Sequence, residues 1–574
     1  MTEQRKKILE LRKLKKYFPV SKNVNLKAVE DVSFILYEGE KLGVVGESGC
    51  GKSTLGRTIL QLYEQTSGSC VYYGKSIQDI NPKYIQKEIN HLKEYQSKAD
   101  AYYKKSQGID NQIQQLSDRA SEYDDLGSAK DAEKYDKLKK QIASLEYQSK
   151  ELKKDASRQL REGSRTVGSL ILCKDIDAIA ELFTKAENEI HIAHENEIKR
   201  RKLHDTYTES AILLDEIEHT DERIAVLEAK NPRTEQEEFD LQDLKNTKKK
   251  TSKYSAERLR NKMVEIKPQI DALENSIADS RAKEMQYRSQ AFDTYRGKDI
   301  LPITERCTDA EYQKKLDSNY ETGINLNKLT HEEMRCIRPD LQMVFQDPAA
   351  SLDPRETIGH AVEEVFAIHT DMPAAVRKQK TLRLLQEVDL KPEHYYAYPN
   401  SLSGGMKQRA GIARAIAMNP SFVVLDEAVS ALDVSVQAQI LKLLNSLQKE
   451  KNLTYLFITH DLGVVKHFCD RVMVMYLGNV CELADSRSLF AKPLHPYTQS
   501  LLAAVPRMKV DQNTDEESVL QGEVPSPINP PSGCPFHTRC NKCMDICKRV
   551  KPKMIEAEPS HTVACHLYDR KDSN

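Results

Sequence analysis

The stretch Gly46-Glu-Ser-Gly-Cys-Gly-Lys-Ser-Thr54 lies between KLGVVG, which reads as a buried strand, and TLGRTILQLY, which reads as a helix. Three glycines closing on Lys-Ser at a strand-to-helix turn make a P-loop. Gly46, Gly49 and Gly51 let backbone N–H groups converge on phosphate oxygens, Lys52 adds a positive charge at the outer phosphates, and Ser53 offers a hydroxyl to Mg2+. A strand feeding a helix through such a loop is a unit of an α/β fold. The next segment expected with it, FQDP, begins only at Phe345.

With 574 residues the chain exceeds one ordinary core, and two or three domains are expected. Its 86 basic and 87 acidic residues give a net charge of −1, so no global attraction draws it to nucleic acid or anionic lipid. No apolar run reaches the length of a bilayer span, and MTEQRKKILELRKLKKYF is charged where a signal peptide needs an apolar centre. A cytoplasmic chain, peripheral to any membrane, is expected. Composition marks four stretches: 1–80 and 326–485, where buried strands alternate with helices; 81–325, rich in Lys, Glu, Gln, Asp and Ala; and 486–574, rich in Pro and Cys.

The 81–325 stretch carries apolar residues at a 3-4 spacing among charges: Tyr135, Leu138, Ile142, Leu145 and Leu152; Leu213, Ile217, Ile224 and Leu227; Leu259, Met263, Ile266, Ile270, Leu273 and Ile277. That period predicts helices packed along a narrow seam, as in a coiled coil. Breaks at DDLGSAKD, GSRTVG and Asn231-Pro232 divide it into four helices, roughly 84–125, 128–162, 175–230 and 234–296. Ser128 and Thr234 are suited to N-cap the second and fourth, each with an acidic residue three positions on. An even number of antiparallel helices returns the chain to its point of departure, as a module inserted into a loop would. A solvated helical appendage without chemistry is the plain reading of its charge runs.

FVVLDE ends an apolar strand on Asp426 and Glu427: the first suits Mg2+, the second the orientation and deprotonation of an attacking water. FITHDLG ends another strand near His460, within reach of a γ-phosphate. Leu402-Ser-Gly-Gly-Met-Lys-Gln-Arg409 opens a second helix whose N-terminus attracts phosphate. Two phosphate cradles for one nucleotide imply two ATPase domains head to tail, each completing the other's site.

With GESGCGKST, FQDP, LSGGMKQR, VVLDE, SALD and ITHD in this order, the chain resembles the ATP-binding-cassette ATPases. FQDPAASLDPRETI, GIARAIAMNPSFVVLDEAVSALDVSVQAQIL, MYLGNVCELA, HPYTQSLLAAVP and PSPINPPSGCPFHTRC narrow the resemblance to the ATP-binding subunits of bacterial oligopeptide/dipeptide permeases, over about 5–80 and 326–568. The resemblance implies an α/β cassette with a RecA-like core, an antiparallel β subdomain and a helical subdomain, interrupted by the antiparallel helical module and followed by a small Cys-rich region. By position, Tyr17 would stack on adenine, and Gly46, Glu47, Ser48, Gly49, Cys50, Gly51, Lys52, Ser53 and Thr54 would hold phosphate and, through Ser53, Mg2+. Gln346 would join Mg2+ and the attacking water to the membrane-facing surface, with Asp426 serving the metal, Glu427 as base and His460 sensing the γ-phosphate. Ser403, Gly404 and Gly405 would complete the partner's site, and Asp433 would lie between the two sites.

The same resemblance implies ATP and Mg2+ as ligands and a heterodimer with a second homologous ATPase subunit. It further implies two transmembrane permease subunits and an extracytoplasmic peptide-binding protein, with no nucleic acid. Met406 and Ala428 depart from the usual Gln and Pro without removing a phosphate contact or a carboxylate. Cys534, Cys540, Cys547 and Cys565 match a family pattern associated in some members with an iron–sulfur cluster, here read as [4Fe-4S]. The residues alone leave a cluster, Zn2+ and free thiols open, and Cys543 is extra to the pattern. Chromosome-maintenance and DNA-repair ATPases also split a cassette with coiled coil, but after the Gln loop; here the helices precede Gln346, and the tail has no place in that reading. A scaffold with a vestigial ATPase is opposed by the intact Lys52, Asp426, Glu427 and His460.

Overall fold

The computed structural model describes residues 5–22, 24–124, 129–229, 241, 245, 256–320, 323–430, 432–504 and 522–569. The chain divides into two units, one of Met1–Lys75, Asp205–Lys262 and Asn325–Asn574, the other of Ser76–His204 and Met263–Ile324. Twelve strands are described: β1 (Lys7–Ser21), β2 (Val24–Tyr37), β3 (Lys41–Val45), β4 (Ser67–Tyr72), β5 (Ile324–Asn325), β6 (Leu341–Val344), β7 (Phe422–Asp426), β8 (Thr454–Ile458), β9 (Arg471–Tyr476), β10 (Asn479–Asp485), β11 (Ile555–Glu558) and β12 (His561–Val563). They form a four-stranded sheet, β2-β1-β4-β5, and an eight-stranded one, β11-β12-β10-β9-β3-β8-β7-β6.

The larger sheet explains where the chemistry sits. β3, β7 and β8 are short runs of Val, Leu, Ile and Phe, buried on both faces and paired in parallel, with Leu42 opposite Leu456 and Leu456 opposite Val424. Their carboxyl ends therefore lie side by side, where an open parallel sheet offers its ligand crevice. The P-loop leaves β3, Asp426 ends β7, and His460 follows β8. β6 occupies the edge beside β7 and delivers Gln346 to the same end. Helices Ile358–His369, Ala374–Glu387 and Gly404–Ile416 contribute Val362, Phe366, Leu385 and Ile412 to one core with Val423 and Leu425 of β7. The result is a mixed α/β cassette with an antiparallel sheet and a helical part.

The tail extends this sheet. β12 pairs with β10, placing Val563 opposite Glu482, and β11 pairs with β12. Glu482 is fully buried, and its carboxylate accepts the backbone N–H groups of Leu494 (2.8 Å) and His495 (2.9 Å) and the His561 ring at 2.6 Å. A buried carboxylate is tolerable only with such partners. Burial lowers the pKa of the neighbouring His495 to about 4, against the pull of Glu482.

In the second unit, helices Lys83–Asp124 and Ala129–Val167 run antiparallel, with Asp110 accepting the Ser149 hydroxyl at 2.6 Å and pairing with Lys153 at 3.0 Å. The parts of helices Ile176–Ala229 and Ala256–Tyr295 that belong to this unit are likewise antiparallel, as Asn196–Ser276 (3.0 Å) and Arg200–Glu274 (3.3 Å) show. Three of the expected helices match within a few residues at most ends; the first part of the fourth, with Thr234, and Ser128 lie outside the described residues. The 3-4 residues of the second helix are half-buried, as a seam requires, while Ile266, Ile270 and Ile277 are buried.

The break expected at GSRTVG falls at its last residue. The helix continues through GSRTVG to Val167, turns at Gly168 in the left-handed region (φ +61°), and enters a buried 3-10 turn, Gly168–Leu172. A Cβ at Gly168 would lie 2.8 Å from Asp317 Oδ1, the atom that accepts the Ser169 N–H. Leu170, Ile171 and Leu172 join Leu92, Leu160, Ile179, Phe183 and Ile303 in a core of their own. Beside it Arg288 binds Glu187 at 2.8 Å, Glu284 and the Tyr320 hydroxyl. Burial, reinforced by Glu284 and opposed by Arg288, pushes the Glu187 pKa up to about 7. The helices carry a folded core of their own.

Candidate functional site

The P-loop is shaped by its glycines and closed by its lysine. Gly51, at φ +98°, stands where a Cβ would be 2.0 Å from the Ala28 carbonyl oxygen, so no other residue fits the start of helix Lys52–Ile59. The Lys52 ammonium, 5% exposed, turns back to donate to the carbonyls of Gly46 (2.7 Å) and Glu47 (3.0 Å). Ser48 and Gly49 are exposed at the tip, and Cys50 is buried beneath it. Thr54 accepts the Thr58 hydroxyl on its carbonyl, within the helix. The β2 strand reaches the loop through backbone bonds from Glu30 N–H to Gly478 and from Gly478 N–H to Cys50.

The acidic residues meet the loop across the sheet. Ser53 Oγ donates to Asp426 Oδ1 at 2.6 Å. Asp426 Oδ2 is buried without a hydrogen bond, with the Arg57 guanidinium 3.8 Å away. Burial raises the Asp426 pKa, opposed by the Ser53 hydrogen bond and by Arg57. An orphaned carboxylate oxygen beside a serine hydroxyl fits a divalent cation, whose charge would answer the burial.

Glu427 adopts a left-handed backbone (φ +47°), a strained position for a glutamate, held by its N–H bond to the Ile458 carbonyl. Its carboxylate takes a hydrogen bond from Gln346 Nε2 at 2.7 Å on one oxygen and faces His460 Nδ1 at 3.5 Å on the other. Gln346 and His460 are exposed, so this triad opens to solvent beside the loop.

Other expected residues are not joined to this group by any described contact. Ser403 caps helix Gly404–Ile416, its oxygen accepting the Met406 N–H at 3.3 Å, and Ser403 and Gly404 are exposed. A Cβ on Gly405 would lie 2.7 Å from Val436, which places this helix start against helix Val434–Lys451, preceded by exposed Asp433. Tyr17, on β1, is half-buried and gives its hydroxyl to Glu30, which also pairs with Lys15 at 2.6 Å. Ala428 is buried beside Glu427 and disturbs none of these bonds.

The tail thiols are all free, and Cys534, Cys547 and Cys565 are buried. Burial raises the pKa of Cys534 to about 12 and of Cys565 to about 11, with the neighbouring cysteines adding to both. Among the described residues no group of three or more His, Cys, Asp or Glu side chains is disposed to hold a metal ion, so the expected cluster or Zn2+ gains no support from these thiols. Sequence reading also missed Arg57, whose only signal is its place one turn after Ser53 on the P-loop helix.

Residues 29–172 and 313–430 match the family model described as ABC transporter, and 481–547 match that described as oligopeptide/dipeptide transporter, C-terminal region. With the P-loop, Asp426 and Glu427 on one sheet end, they define an ATP-hydrolysing cassette subunit. The chain is 51% identical over 248 residues to the oligopeptide transport ATP-binding protein AppF of Bacillus subtilis, covering 43% of this chain and 75% of that protein. It is 48% identical over 259 residues to YkfD of Bacillus subtilis, provisionally named an oligopeptide transport ATP-binding protein, over 45% of this chain and 79% of that one. A protein of Brucella ovis, provisionally named for peptide import, is 47% identical over 243 residues, 42% of this chain and 76% of its own. The chain belongs to this family of ABC transporter ATP-binding proteins.

Proposed function

We propose that this chain hydrolyses ATP at the cytoplasmic face of a membrane to drive the uptake of oligopeptides or dipeptides. The observation that carries the reading is the division of the site. Ser53 bonds Asp426, and the adjacent Glu427 meets Gln346 and His460, with Lys52 next to Ser53 on the P-loop, whereas Ser403, Gly404 and Asp433 are exposed and have no described contact with any of them. Half a nucleotide site on one surface and a phosphate-attracting helix end on another suit a head-to-tail pair of homologous subunits.

Within that pair Lys52 and the P-loop N–H groups bind the phosphates, and Tyr17 takes the adenine. Ser53, Asp426 and Gln346 are the residues that would hold Mg2+, which when bound offsets charge on the phosphate oxygens. Glu427 orients and deprotonates the attacking water; Gln346 holds its carboxylate on one side and His460 senses the γ-phosphate on the other. Phe345, 41% exposed, borders a groove lined also by Gln342, Ile368, Gln408 and Arg414, which suits docking by a transmembrane permease subunit. Two such subunits and an extracytoplasmic peptide-binding protein complete the importer.

The helical module is read as an insertion between two neighbouring strands, because β4 before it and β5 after it are adjacent in one sheet. No helix among the described residues is long and apolar enough to cross a membrane. The test is a pull-down of the full chain from native membranes, with labelled-peptide uptake measured in cells lacking it. Co-purification of a second cassette subunit and two permease subunits, with loss of ATP-dependent uptake, is expected. Capture without membrane subunits, and unchanged uptake, would reject the reading. Replacing 84–322 by a short Gly/Ser linker should leave ATP binding intact; a chain that can no longer bind ATP would reject the insertion.

A further inference from the structure

Glu47 stands second in the P-loop, and residues from the far end of the chain hold it. Arg539 takes both carboxylate oxygens, Nη1 to Oε2 at 2.7 Å and Nη2 to Oε1 at 3.1 Å. The Glu47 backbone N–H donates outward to the Tyr497 hydroxyl at 2.9 Å. Its carbonyl accepts the Lys52 ammonium and, at 3.3 Å, the Cys50 N–H. Glu47 is thus the point at which the loop is fastened outside and where its lysine rests inside.

The fastening is rigid. The Arg539 side chain is 5% exposed, lies over the Tyr476 ring with its carbon 5.9 Å from the centroid, and has its pKa raised by the bond to Glu47. Tyr476, Tyr497 and Phe536 pack ring on ring at centroid distances of 4.8 to 5.3 Å. A bidentate guanidinium–carboxylate pair fixes position as well as charge. Charge matters here because a free carboxylate in this loop would face the polyphosphate that the loop exists to bind, at a distance where like charges repel.

We infer that the C-terminal region completes the ATP site from outside: Arg539 is a positioning residue that neutralises Glu47 and, with Tyr497, holds the P-loop ready for phosphate. This deepens the ATP-binding reading above and rests on it. The region matched by the oligopeptide/dipeptide transporter model contains both Tyr497 and Arg539, so it acts on the nucleotide as well as closing the sheet.

The experiment titrates the full chain with a fluorescent ATP analogue and measures hydrolysis in the assembled transporter. Arg539→Ala should weaken nucleotide affinity about tenfold or more, raising KM for ATP with little change in kcat, because a half-buried carboxylate is left unpaired beside the phosphates. Arg539→Lys should fall between, and adding Glu47→Gln to Arg539→Ala should restore most of the loss by removing the exposed charge. An Arg539→Ala chain that binds like the parent, or a double variant no better than Arg539→Ala, would overturn the inference. If Arg539→Ala does not fold, Tyr497→Phe decides. A fall in affinity of about threefold or more supports the fastening, and binding like the parent rejects it. A parent chain that fails to bind the analogue would instead sink the ATP reading itself.

Discussion

In the nucleotide-binding unit the buried Asp426 keeps one oxygen without a hydrogen bond, Lys52 rests on carbonyls, and Glu427 sits on a strained backbone. In the helical unit the buried Glu187 and Glu284 are both bound by the half-buried Arg288, which also meets Tyr320. Both units bury charge, but the Asp426 oxygen left without a hydrogen bond lies at the sheet end that carries the P-loop, while the two glutamates share one guanidinium. Buried charge alone therefore does not mark a site; its place beside other functional groups does.

The sharpest way to break that comparison is to remove one charge from each set. Glu427→Gln should cut turnover of the assembled transporter by about 10²-fold or more while MgATP binding persists. Near-normal turnover would remove Glu427 from the role of base. Arg288→Met should destabilise the helical unit by about 3–5 kcal/mol, since two buried carboxylates lose their counter-charge. Hydrogen exchange should then rise in 176–190 and 284–303 with ATP binding retained; unchanged protection would show that the network is not structural.

Acidity should move the two units in opposite directions. His495 has its folded pKa depressed to about 4, so the stability it contributes is present above the ordinary histidine range and lost as pH falls through about 4. Glu187 has its pKa raised to about 7, so the stability it contributes is present below the ordinary carboxylate range and lost as pH rises through about 7. Each swing is on the order of 3 kcal/mol. Segment-resolved hydrogen exchange between pH 4 and 8 should show protection falling in 494–502 at the acid end and in 176–190 at the neutral end. Parallel trends would refute the assignment. Lys153→Ala should do least: its pairs with Asp110 and Glu305 lie on a surface, and their loss should cost about 0–1 kcal/mol in a thermal melt.

The phosphate loop, the Asp426–Glu427 pair and the signature helix were legible in the sequence because each is a short local motif that ends or begins an element. The helices of the charged stretch were legible for the same reason, since a 3-4 period is local. What escaped was distant pairing. Nothing at Glu47 announces Arg539, and nothing at Glu482 announces His561, because these contacts depend on where the tail lies along the sheet edge. GSRTVG was legible as a break because Gly and Ser weaken a helix; that Asp317 and the following Leu-Ile-Leu make it a buried corner was not.

The hydrogen bond from Ser53 to Asp426 joins residues 373 positions apart. At a synthesis rate of about 5–20 residues per second, roughly 20–75 s pass between the emergence of one partner and the other. During that interval the P-loop strand has neither β7 nor β8 beside it, while Lys83–Asp124 and Ala129–Val167 already have each other. Birth order thus runs against function: the helical segment can fold while the older nucleotide strand waits, exposed, for the chain that will cover it.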